Sequence, residues 1–148
     1  MLHQLARSAK STAQLRKILE QREIPTEIAE KVIERFTEVG LIDDAAFADT
    51  IVNSRRTYKG LAKSAIKREL QEKGISQGLV EQALSGITAE DDFESAKKLA
   101  TKRYRQMAHL DKEVRNRRLA GYLQRKGYSS GSVFPAIKFA EEQYLIEG

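Results

Sequence analysis

The sequence predicts an all-α protein, an elongated, curved array of three tandem three-helix repeats. Three observations carry that prediction. The 148 residues include only two prolines, helix formers such as Ala, Leu, Glu, Lys and Arg abound, and no alternating β-branched run occurs. Apolar residues recur at helical spacing. A phrase of helix, stop and second helix is written three times, around Ile24, Ile75 and Tyr128, at offsets of 51 and 53 residues, a period proper to helical arrays.

Taken in order, Leu15, Ile18 and Leu19 stand at i, i+3 and i+4, one buried stripe of a helix. Ile66 with Leu70 and Leu119 with Leu123 repeat the stripe. Gly74 and Gly127 suit the left-handed residue just past a helix end, because glycine has no Cβ to clash there. Ser76 and Ser129 follow as candidate N-caps. In the first unit Glu23 replaces the glycine, which predicts a different turn. The second helices show Ile28, Val32 and Phe36, then Leu79, Ala83 and Ile87, then Val133, Ile137 and Ala140, and Gly40 closes the first of them. Pro135 would disrupt the interior of a helix capped by Ser129, so Ser132 is the expected cap, with 129–131 as a longer turn.

Each of the first two units adds a third helix. Asp43 and Asp44, then Asp91 and Asp92, are placed to cap these and to favour the positive end of the helix dipole. Phe47 and Tyr58 lie eleven residues apart, as do Phe93 and Tyr104, close to three full turns. Each pair is expected in the core. The repeats are expected at residues 5–59, 60–108 and 109–148. A unit of about 50 residues with few large apolar side chains is weak alone. Stacked end to end, such units give a rod whose long concave face suits a filament, a groove or a nucleic-acid backbone.

Composition narrows the function. Cysteine is absent, which excludes disulfides and thiolate chemistry. No apolar run reaches the length of a membrane span and the N-terminus lacks a signal-peptide core, so a cytoplasmic location without membrane contact is expected. His3 and His109 lack ligand spacing, no glycine loop cradles phosphate, and no serine sits in a nucleophile elbow. The expectation is a protein without catalysis, cofactor or metal.

Charge points to an anionic partner instead. The formal net charge is +5, but residues 97–126 alone carry eleven Lys/Arg against two acids. One cluster comprises Arg55, Arg56, Lys59, Lys63, Lys67, Arg68 and Lys73. A second comprises Lys97, Lys98, Lys102, Arg103 and Arg105 with Arg115, Arg117, Arg118, Arg125 and Lys126. Both fall where one expected unit meets the next. Such groups can neutralise phosphates without sequence preference or steer an acidic protein surface into contact.

GLIDDAAFADTIVNSRRTYKG (residues 40–60) followed by AIKRELQEKGIS (65–76) resembles the signature of the RecX regulatory proteins, modulators of the recombinase RecA. DDFESAKKLATKRY (91–104) and RRLAGYLQRKGYS (117–129) are similar to that family's later repeats. By position, Asp43, Asp44 and Phe47 match the acidic-aromatic motif and Arg55 or Arg56 the basic one. Lys59, Gly60, Lys67, Glu69, Leu70, Lys73 and Gly74 match the central signature, and Gly127 belongs to the later turn. The sequence departs by a one-residue insertion at Arg55-Arg56, and by Ala62 and Ala65 where glycine and arginine are usual. The resemblance implies a monomeric, non-enzymatic regulator in DNA repair, recombination and the SOS response. Its implied partner is the RecA filament, with single- or double-stranded DNA a further candidate. Lodged in the filament groove, it would lower ATP hydrolysis, coprotease activity and strand exchange. The rival reading is a nonspecific single-stranded nucleic-acid module.

Overall fold

The computed structural model describes residues 10–147, and the described residues form eight α-helices and no strand. His3 and the expected repeat start at residue 5 lie outside them. The helices are α1 (Thr12–Gln21), α2 (Thr26–Glu38), α3 (Asp44–Ser54), α4 (Lys63–Glu72), α5 (Gln77–Leu84), α6 (Ala89–Met107), α7 (Lys112–Arg125) and α8 (Ser130–Glu147). A π-helical turn, Arg55–Lys59, continues α3. The described residues group into two compact units: one holds residues 10–53 with Lys67–Leu84, the other holds Ser54–Ile66 with residues 85–147.

In the first unit Ser11 caps α1. Its hydroxyl accepts from the Gln14 amide at 3.1 Å while its own amide donates to Gln14 Oε1 at 3.0 Å, so two otherwise unpaired donors are satisfied reciprocally. Leu15 and Leu19 are buried against Ala29, Ile33 and Ile42. The buried face of α2 therefore runs through Ala29 and Ile33. Val32 and Phe36 flank that cluster, and Ile28, expected inside, is exposed. The small Ala29 lets α2 close on α1, turning the stripe by one residue. In α5 likewise Val80 and Leu84 are buried while Leu79 and Ala83 are half-buried, and Ile87 lies beyond the helix.

The three α1–α2-type turns share one geometry. Glu23 (φ 58), Gly74 (φ 80) and Gly127 (φ 97) are all left-handed. The amides of Ile24, Ile75 and Tyr128 reach back to Leu19, Leu70 and Leu123 at 3.0, 3.1 and 3.2 Å. The different turn expected at Glu23 does not form, because these backbone bonds outweigh the cost of a Cβ in that region.

A second device recurs, once in each unit. In the first, Ser11 Oγ donates to the Lys73 carbonyl at 2.7 Å, and a Cβ on Gly74 would sit 2.3 Å from Ala13 Cβ. Asp44 accepts from the Thr12 amide at 2.8 Å. In the second, Ser64 Oγ donates to the Gly127 carbonyl at 2.6 Å, and a Cβ on Gly127 would sit 2.7 Å from Ala65 Cβ. Asp92 there accepts from the Lys63 amide at 3.2 Å. Each joint thus seats a glycine turn on a helix start and closes it with an aspartate. At both positions glycine answers two demands: a positive φ and a contact with no room for a methyl group.

That use of the aspartates alters their expected roles. Asp43 does cap α3, accepting from the Ala46 amide at 3.1 Å. Thr88, however, caps α6 in a box with Asp91, whose carboxyl the Thr88 amide and hydroxyl hold below its ordinary value. Asp92 stands beyond the cap and faces the joint.

The second unit's core joins Ala96, Ala100 and Tyr104 of α6 to Leu119 and Leu123 of α7 and to Val133, Ala136, Ile137 and Ala140 of α8. Alanines along both α6 and α8 let these two helices approach closely. Phe93 packs against this core and Tyr104 is within it, as the eleven-residue spacing expects. The expected cap at Ser132 is not seen. α8 starts at Ser130, with Ser129 ahead of it, and Pro135 lies inside. Gly131, whose carbonyl Pro135 cannot serve, is exposed and so open to water. Burial of Val133, Ala136 and Ile137 outweighs the remaining strain.

Candidate functional site

The site begins with the π turn. A turn closed over five residues holds one residue more than an α-turn. The Gly60 amide donates to the Arg55 carbonyl, and Gly60 itself is left-handed at φ 62. The extra residue rotates the side chains after it by about 100° from the α-helical register. Phe47 keeps its place in the core, but Tyr58, expected there eleven residues on, is 84% exposed. Widening of the helix is the physical reason for that correction.

Below the turn, Arg56 bonds Asp92 at 2.6 Å and the Leu61 carbonyl at 3.2 Å, with both charged side chains about one-fifth exposed. Tyr128 donates to the Gly60 carbonyl at 2.7 Å and meets Ser95 Oγ at 2.8 Å. Burial pushes its phenol above the ordinary tyrosine value. Lys126 Nζ donates to the Lys59 carbonyl at 2.7 Å. The turn is therefore pinned from beneath, and Tyr58 is left on top.

A cleft of about 450 Å³ opens beside it, walled by the turn, by one stripe of α6 and by α7. On α6 the stripe is Ser95, Lys98, Leu99, Lys102, Arg103 and Gln106; Tyr122 of α7 and Lys126, just past its end and four residues on, complete the wall. Six cations line the cleft: Arg56, Lys59, Lys98, Lys102, Arg103 and Lys126; no carboxylate does. Arg103 stacks on Tyr122 at 4.5 Å and Lys126 lies 5.6 Å from the same ring. Among the described residues, Lys59, Lys98 and Lys102 have no carboxylate partner.

The other candidates are spread elsewhere. Lys97 points away from the cleft, between the rings of Phe93 and Phe139 at 4.8 and 4.7 Å, and pairs with Glu94 at 2.6 Å. Arg105 pairs with Glu147 at 2.6 Å. Arg115 is 8% exposed, stacked on Tyr104 at 4.5 Å and donating to the Leu110 carbonyl at 3.1 Å. It belongs to the core. Arg117, Arg118 and Arg125 are exposed on α7 without lining the cleft. Lys63 donates to the Ile87 carbonyl at 3.1 Å, and Arg55 to Ser54 Oγ at 3.2 Å. In the first unit Lys67 and Arg68 are exposed. Lys73 approaches Glu69 at 3.8 Å and lines a hollow with Lys10 and Lys17 that also holds Glu72. Gly60, Gly74 and Gly127 form turns, Leu70 is core, and Asp43 and Asp44 cap and join. Sequence reasoning missed Tyr58, Tyr122 and Gln106. The four-residue spacing of Tyr122 and Lys126 was the available signal.

No helix among the described residues is long and apolar enough to cross a membrane. The chain matches the RecX family's three successive domains: the first three-helix domain over residues 1–36, the second over 43–84 and the third over 90–137. It is 43% identical to the regulatory protein RecX of Streptomyces coelicolor over 142 residues, covering 96% of this chain and 76% of that protein. Identity to the Thermobifida fusca protein of the same name is 39% over 147 residues, covering 99% and 78%. The crystal structure of RecX from Lactobacillus salivarius shares the fold at a TM-score of 0.79 and 21% identity, covering 95% of this chain and 91% of that one. A second crystal structure of regulatory protein RecX gives 0.75 at 30% identity, covering 93% and 68%. All three domain matches, in order and over most of the sequence, establish that this chain belongs to the RecX regulatory-protein family.

Proposed function

We propose that the chain is a non-enzymatic, cytoplasmic regulator of the RecA–DNA filament. On this reading it lodges in the filament groove and lowers ATP hydrolysis, coprotease activity and strand exchange. One observation carries the reading: the signature segment Arg55–Gly60 builds a wall of a cleft with six cations and no acid. A field of that kind attracts a polyanion or an acidic protein surface, and its reach is set by salt, about 8 Å at physiological ionic strength. A regulator without chemistry of its own can act only by binding filament states unequally. The exposed faces of Lys98, Lys102, Arg117 and Arg118 are the proposed contact.

The test titrates the chain into preformed RecA–DNA filaments while following ATP hydrolysis, beside its affinity for bare single-stranded DNA over a salt series. Inhibition well below the concentration that coats bare DNA supports the regulator. Reversal of Lys98 and Lys102 to Glu should raise the half-inhibiting concentration at least about tenfold. Inhibition that only follows coverage of bare DNA would transfer the assignment to a nonspecific strand-coating module.

A further inference from the structure

We propose that the cleft of the second unit is a discrete nucleotide site, with phosphates held by Lys59, Lys98 and Lys102 and the base laid on Tyr58. The ammonium groups of these three lysines have no carboxylate to satisfy them among the described residues. Lys98 and Lys102 are one turn apart on α6, so both reach one phosphate group or two adjacent ones. The volume of about 450 Å³ lies in the range of small-molecule sites.

Tyr58 completes the site. An exposed tyrosine on a free helix face would mean little. This one is set outward by a π turn, a feature that concentrates at functional sites, and that turn is tied down through Arg56 and through the Gly60 carbonyl. The other ring in the cleft, Tyr122, is already faced by Arg103 and Lys126. Tyr58 is therefore the ring open to a base. Stacking accepts any base.

A second hollow shares Lys98 and Lys102, and its carboxylates Glu94 and Glu147 are paired with Lys97 and Arg105. The volume of the cleft and its single open ring fit one nucleotide, either free as a nucleoside triphosphate or as one residue of a strand. An acidic peptide could meet the lysines, but it brings no planar group for Tyr58.

The proposal does not rest on the filament reading, and its test uses the purified chain alone. Equilibrium dialysis with ATP, a six-residue oligothymidylate, inorganic tripolyphosphate and a poly-glutamate peptide is run at two salt concentrations. Expected is one saturable nucleotide per chain. Tyr58→Ala should weaken base-bearing ligands about tenfold and leave tripolyphosphate unchanged. Lys102→Gln should weaken every phosphate ligand and lower the salt slope by about one. Saturation by ATP identifies a free nucleotide as the source, and saturation by the oligomer alone identifies a strand; both uphold the site. Absence of saturable nucleotide binding, indifference to Tyr58→Ala, or preference for poly-glutamate would overturn it, whatever the chain does to RecA filaments.

Discussion

At the scale of single residues, Glu23 and Gly127 share a backbone conformation but differ in what they can tolerate. Glu23 is exposed and left-handed, so its Cβ strains only its own backbone. Glu23→Gly should stabilise the fold by about 1 kcal/mol, read as a higher denaturation midpoint at unchanged slope. Gly127→Ala meets Ala65 Cβ as well and should cost about 2–3 kcal/mol. Adding Ala65→Gly should recover part of that loss, a coupling that a double-mutant cycle measures directly. Tyr128 yields a prediction about pH. Its folded-state phenol is raised, so its contribution is complete below the unfolded value of about 10 and falls as pH rises through the folded value. Stability of the parent chain should therefore decline above about pH 10, and Tyr128→Phe should flatten that alkaline limb.

At the scale of elements, the π turn separates what was legible from what was not. Helix existence and the pattern of leucines were visible because period and punctuation agreed at Leu15, Ile66 and Leu119. The glycine turns were visible for the same reason. Tyr58 was misplaced because an eleven-residue spacing presumes an unbroken α-helix, and the π turn at Arg55–Lys59 breaks it. The start of α8 was misplaced because Pro135 was weighed against an isolated helix, whereas Val133, Ala136 and Ile137 bind that segment into the core.

At the scale of the whole molecule, the cationic excess was legible in the sequence but its division was not. Residues adjacent in sequence face different ways on a helix. Lys98 therefore enters the cleft while Lys97 is held between two phenylalanine rings, and Arg115 of the same excess supports the core. Reversals should sort accordingly. Arg115→Glu should unfold the chain or lower its stability by about 3 kcal/mol or more, because it buries a carboxylate against Tyr104. Arg117→Glu with Arg118→Glu should leave the melting temperature nearly unchanged.

Lys126 belongs to the joint and to the cleft at once. Its ammonium reaches the Lys59 carbonyl, and its own carbonyl accepts from the Ala62 amide at 2.9 Å. An anion that draws the side chain outward pulls on the peptide group behind it. The Ala62 N–H is consequently a built-in reporter: its hydrogen-exchange rate and proton chemical shift should change with occupancy, without any probe attached.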